Sequence, residues 1–190
     1  MKNYGVEPKQ PKGGREILPA GGYVCQILSA KVDEAEWGDT LAIAHDVCEG
    51  EYEGFFKRDY DNNTFENKKW RGTFRLKLPK ENGDKYDSRK KDQLAYFMGA
   101  IEASNPGFKW GNWDTIEKRL KGKKVGLIYR NKEWEYNGRT GWTTEAAGAD
   151  SIDSIRDGKF YHYKDKPLPE KPASAPAFEE LDDSESDLPF

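Results

Sequence analysis

Apolar and polar residues alternate with a period of two in several separated stretches, which is the pattern of half-buried strands. Between Thr40 and Glu49, Leu41, Ile43 and Val47 share one face with His45. Between Trp70 and Leu78, the residues Trp70, Gly72, Phe74, Leu76 and Leu78 alternate with Arg71, Thr73, Arg75 and Lys77. One face of that strand is apolar and the other basic. A further strand from Tyr23 to Val32 is opened by Gly21–Gly22, and a loop through Trp37–Gly38–Asp39 separates it from the second. Lys123 to Tyr136 is a fourth strand. Asn137–Gly138 is a hairpin signal, and Trp142 to about Gly148 pairs back as the fifth.

The period changes between the third and fourth strands. Ser88 can cap a helix running to about Ala103, in which Leu94, Phe97, Met98 and Ile101 form one stripe. Asn105–Pro106–Gly107 ends it. A shorter helix follows Trp113, with Asp114 and Glu117 spaced as a capping pair. Residues 50–69 are aromatic and charged, and Asn62–Asn63 argues for a loop or a short helical excursion. Residues 151–163 predict a short helix and a final extended piece. No internal repeat is present.

Five strands with a helix between the third and fourth predict a mainly β fold with a helical insert, a five-stranded, partly open barrel of the OB-fold type. The barrel is expected over residues 20–163. Residues 1–19 read as a flexible basic arm, because Lys2, Lys9, Lys12 and Arg15 are interspersed with helix-breaking Pro and Gly. Residues 164–181, with Pro167, Pro169, Pro172 and Pro176, read as a disordered linker, and residues 182–190 as an acidic tip.

Charge sharpens this division. Residues 170–190 carry seven acidic groups against one basic group, a net of −6, whereas residues 1–169 carry a net of +3. Aromatic residues make up 13% of a chain that is 34% charged, so some of the rings are expected near the surface. Cys25 and Cys48 fall singly in strand-like runs and are expected as reduced thiols. The polar N-terminal stretch predicts no secretory leader, and no apolar run approaches the ~20 residues of a membrane span. A cytoplasmic protein without membrane contact is expected. The pattern leaves a homo-oligomer open.

Binding a single nucleic-acid strand needs cations along the phosphates and flat rings under the bases. The third strand supplies Arg71, Arg75 and Lys77. The preceding segment supplies Lys57, Arg58, Lys68 and Lys69 beside Phe56, Tyr60 and Phe65. The fourth and fifth strands supply Arg130, Lys132, Trp134, Tyr136, Arg139 and Trp142, and the first loop adds Trp37. Trp134 and Tyr136 are two apart, so their rings point to one side of the strand. These positions map to the strands and loops that carry ligand in OB-folds.

Catalytic signatures are sparse. The chain has no Walker-type phosphate loop, no GxGxxG and no GxSxG serine. His45 and His162 have no ligand-spaced partner, and His45 reads as a core histidine. No cofactor and no metal are expected. Carboxylate pairs such as Asp59–Asp61 keep a metal-dependent nuclease, or another DNA-processing enzyme, as an alternative.

The chain closes on Asp182, Asp183, Glu185, Asp187, Leu188, Pro189 and Phe190, with serines between the acids. This ending resembles that of bacterial and phage-encoded single-stranded DNA-binding proteins, in which an acidic run closes on an aliphatic residue, Pro and Phe. Leu188 stands where Ile is commoner in that class. From Gly22 to about Lys164 the layout also resembles phage-encoded members. The resemblance implies single-stranded DNA binding in replication or recombination, with partner enzymes recruited by residues 182–190. A protein-only adaptor using the same tip is a further alternative.

Overall fold

The computed structural model describes residues 16–36, 38–80 and 85–169, without the side chains of residues 85 and 86. Five strands form one antiparallel sheet: β1 (Gly21–Asp33), β2 (Thr40–Val47), β3 (Thr73–Lys77), β4 (Lys124–Tyr136) and β5 (Arg139–Asp150). Their order is β3-β2-β1-β4-β5. Every neighbouring pair is antiparallel, so the outer strands β3 and β5 run in the same direction. These two strands line the same two cavities, so the sheet curls until its free edges face each other.

The curl starts at β1. Its first half pairs with β4 through Gly21–Gln26, and Cys25–Asp33 pairs with β2. A bulge between Ile27 and Ser29 bends the strand where it passes from one partner to the other. Alternation then fills the interior with Cys25 and Ile27, Leu41, Ile43 and Val47, Phe74 and Leu76, and Val125, Leu127 and Tyr129. Both cysteines are free, Cys25 buried and Cys48 half-buried.

Among the described residues, three helices close the core and a fourth packs on the outer side of the sheet. The long helix α2 (Lys85–Ser104) buries the expected stripe, with Leu94, Phe97 and Ile101 covered and Met98 half-buried. The excursion after β2 is a helix, α1 (Phe55–Asn62), which carries Phe55 and Phe56 into the core. Its N-cap residue Gly54 offers no side chain. Asp46, buried on β2, caps it instead: Oδ1 accepts from Phe56 N at 2.9 Å and Oδ2 from Lys57 N at 3.1 Å.

A 3-10 turn, Trp113–Thr115, leads into α3 (Ile116–Leu120). The expected pairing of Asp114 with Glu117 is not what caps it. Asn112 Oδ1 accepts from Asp114 N at 3.0 Å, and Glu117 reaches across to accept from Val32 N on β1 at 2.7 Å. The last helix, α4 (Ile152–Arg156), begins on Ser151, whose Oγ accepts from Ser154 N at 3.1 Å. Ile155 packs with Val24 and Ile128 on the outer side of β1 and β4, with Phe160 and Tyr163 against them.

The ordered chain extends past both expected boundaries. Leu18, counted with the arm, is buried in the core, and its carbonyl accepts from Thr144 Oγ1 at 2.6 Å. Residues 164–169, counted with the linker, run beside β4 through a parallel bridge of Lys166 to Lys132. Residues 1–15 and 170–181, and the tip 182–190, lie outside the described residues. Among the described residues no helix is long and apolar enough to cross a membrane.

Candidate nucleic-acid interface

The β4–β5 hairpin turns on Asn137 and Gly138, both with positive φ (50° and 72°). That two-residue turn sets Tyr136 opposite Arg139, Trp134 opposite Gly141, Lys132 opposite Thr143 and Arg130 opposite Glu145. Arg130, Lys132, Trp134 and Tyr136 therefore share one face, spaced about 6.7 Å per step. The Trp134 ring lies over Gly141, where an added Cβ would stand 2.8 Å from a ring carbon. Only glycine lets the indole rest on the strand. Trp134 is 39% exposed and Tyr136 72%, so both rings keep an open surface. Trp142 pairs with Glu133 and so stands on the opposite face, apart from the other two rings.

This face opens into a cleft of about 840 Å³ between the free edges of β3 and β5, floored by α2. Arg75 of β3 lines it with Arg130 and Lys132, together with Tyr96, Tyr161 and Tyr163. Tyr96 and Tyr161 are 77% and 65% exposed. Sequence reasoning missed both rings. Tyr96 lies off the apolar stripe of α2, and an aromatic on a helix's polar side was the available signal. Tyr161 follows α4 in a stretch with no periodicity to mark it.

Glu145 is the hub of the cleft's charge. Its Oε1 accepts from Arg130 Nη2 at 2.7 Å and Nε at 3.2 Å, and lies 3.5 Å from Lys166 Nζ. Its Oε2 lies 3.0 Å from Lys132 Nζ. Partial burial raises the pKa of this carboxyl, but hydrogen bonds from Arg130 and Lys132 outweigh it and hold the group below the usual carboxylate range. One anion among three cations leaves the cluster positive.

The remaining predicted residues gather around α1. Phe56 lies in the core, 4% exposed, against His45, Tyr129 and Trp70, and offers no face to a base. The apolar step it occupies was hidden in a segment that otherwise reads as a polar loop. Lys57 is exposed and paired with Asp61 at 2.7 Å, and the Arg58 guanidinium donates to the Glu53 carbonyl. Tyr60 is half-buried beside Trp70, with Lys68 Nζ 4.4 Å from its ring centre. Lys69 is exposed. Arg71 pairs with Asp59 at 3.2 Å and lines a smaller cavity of about 160 Å³ that Glu145 also lines. Lys77 donates to Thr40 Oγ1 at 3.0 Å on the outer face of β3, and Arg139 is exposed at the hairpin tip. Trp37 and Asp182–Phe190 lie outside the described residues.

His45 is enclosed, with Nε2 2.5 Å from the Tyr129 hydroxyl and Nδ1 3.3 Å from the Ile43 carbonyl. It is a core histidine, as its place in the strand pattern implied. Among the described residues no group of three or more His, Cys, Asp and Glu side chains is arranged to hold a metal ion. The chain matches no protein-family model and no curated protein.

Proposed function

We propose that this protein binds single-stranded DNA without sequence preference in replication or recombination. One observation carries the proposal: Arg130, Lys132, Trp134 and Tyr136 stand in succession on one face of β4, continuous with a cleft that adds Arg75 and two exposed tyrosines. Cations in register with rings suit a phosphate chain with bases beside it, and stacking of about 1–3 kcal/mol per base accepts any base. The strand order, the parallel run of β3 and β5, and the position of α2 and α3 between β3 and β4 support an OB-fold, whose ligands lie on strands two and three and the 4–5 loop.

The acidic residues 182–190 recruit partner enzymes in this proposal. The Phe190 ring fills an apolar pocket on the partner, and Asp182, Asp183, Glu185 and Asp187 steer the approach to basic side chains at its rim. Pro189 limits the freedom lost on docking. Titration of the full chain with an oligo-dT at low salt tests the DNA-binding claim. Tryptophan fluorescence is expected to quench saturably as Trp134 stacks. Unchanged fluorescence, with no shift in the anisotropy of a labelled oligo-dT, would sink the proposal.

A further inference from the structure

The stretch after α4 folds back as a strap over the cleft. Phe160 packs above Gly22, and Tyr163 lies on Gly148, where an added Cβ would sit 2.6 Å from a ring carbon. Lys166 N donates to Asn131 O at 2.9 Å, and Lys166 O accepts from Glu133 N at 2.9 Å. Asn131 Nδ2 donates to Asp165 Oδ1 at 3.0 Å, and Glu133 Oε2 accepts from Leu168 N at 3.0 Å. Four hydrogen bonds thus pin the strap, three through its backbone and one through the Asp165 side chain. Tyr161 lines the cleft beside Tyr163, and Lys166 reaches Glu145. Tyr161 is 65% exposed in the cleft, its ring set edge-on to Tyr163 at 4.8 Å. The Lys166 side chain is 52% exposed and leans on Glu145.

We propose that this strap is a working wall of the single-strand site: a backbone phosphate takes the place of Glu145 among Arg130, Lys132 and Lys166, and a base lies on Tyr161. The inference rests on the single-strand function proposed above. A phosphate diester carries the same single charge as the carboxylate and accepts the same charge-assisted hydrogen bonds. Without an anion, three cations within reach of one point would repel each other and spread. Glu145 keeps them together in the free protein, so less ordering is left for binding. The same carboxylate competes with the incoming phosphate, which lowers affinity and lets the strand leave. The strap brings to the cleft one exposed ring and one cation that the barrel strands do not supply.

The test uses the full chain and labelled oligo-dT at low salt. Y161A is expected to weaken binding roughly 5- to 150-fold, the effect of one lost stacking platform, while Y161F keeps the ring and binds within about twofold of wild type. E145Q keeps the shape but removes the competing charge, and is expected to bind about three- to tenfold more tightly at low ionic strength, with the gain shrinking as salt rises. If Glu145 were only a clamp for the cations, E145Q would bind more weakly. Wild-type binding with Y161A unchanged, or with E145Q no tighter, overturns the role of the strap and leaves the function standing. Failure of the wild-type chain to bind oligo-dT overturns the function itself. Tyr161 is exposed, so its variants retain the fold, and an unchanged thermal midpoint checks this.

Discussion

Acidification from pH 7.5 to pH 5 should destabilise this protein through His45. Burial lowers the pKa of this side chain from 6.5 to about 4, so it is neutral in the folded state at neutral pH. The contacts agree with that state. Tyr129 stays protonated, because burial pushes its pKa well above 10, and its hydroxyl donates to Nε2 while Nδ1–H points to the Ile43 carbonyl. A protonated ring would donate from both nitrogens, and the Tyr129 hydroxyl would have to turn its own proton away to accept across 2.5 Å. The folded pKa lies below the unfolded one, so the unfolded chain takes up the proton first as pH falls. Stability is complete above about pH 6.5 and is lost down to about pH 4, below which both states are protonated. The whole loss is about 3 kcal/mol, of which about 2 kcal/mol is reached by pH 5. Carboxylates such as Glu49, Glu102 and Glu145, with folded pKa values below their ordinary range, lose their contribution only at lower pH. Urea unfolding at pH 7.5, 6 and 5 measures the slope for wild type and for His45→Gln. The variant is expected to be less stable throughout but to lose about 2 kcal/mol less between pH 7.5 and 5. Parallel slopes for the two proteins would refute the assignment of a neutral, buried His45.

Three further outcomes are expected, two from named contacts and one from the acidic tip. Asp46→Ala removes the acceptor for two N-terminal amides of α1 and is expected to lower stability by about 2–3 kcal/mol, read from the urea midpoint at constant m; a loss under about 0.5 kcal/mol contradicts the capping role. Trp134→Ala is expected to weaken oligo-dT binding roughly 5- to 150-fold, whereas Trp142→Ala, on the other face of the hairpin, stays within about threefold; equal losses would overturn the assignment of faces. Deleting residues 182–190 is expected to leave single-strand affinity unchanged or raised while abolishing capture of partner enzymes, and unchanged capture contradicts the docking role of the tip.

Local signals were legible in the sequence where they stood alone. Asn137–Gly138 set the hairpin register, and with it the common face of Trp134 and Tyr136. The stripe of Leu94, Phe97, Met98 and Ile101 marked the buried side of α2. What escaped depends on partners distant along the chain. Asp46 caps a helix that starts nine residues later, so neither residue advertises the other. Glu145 gathers cations from its own neighbour strand and from Lys166, which was assigned to the linker on its prolines. Phe56 was counted as a surface ring because Lys57, Arg58 and Tyr60 surround it in sequence, yet a short amphipathic helix turns it inward. Arg75, Arg130 and Tyr96 meet only because the sheet curls, and no one-dimensional pattern reports that meeting.

The central claim is that the face of β4 and the adjoining cleft hold a single nucleic-acid strand by its phosphates and bases. The salt dependence of oligo-dT affinity tests it most directly. Contacts from Arg75, Arg130 and Lys132 alone predict that log K falls against log salt with a slope of about −2, from roughly −0.7 per phosphate neutralised. Replacing the three by Ala together should flatten that slope and weaken binding most at low salt. A slope near zero in the wild-type chain, or one left unchanged by the triple substitution, would contradict the account.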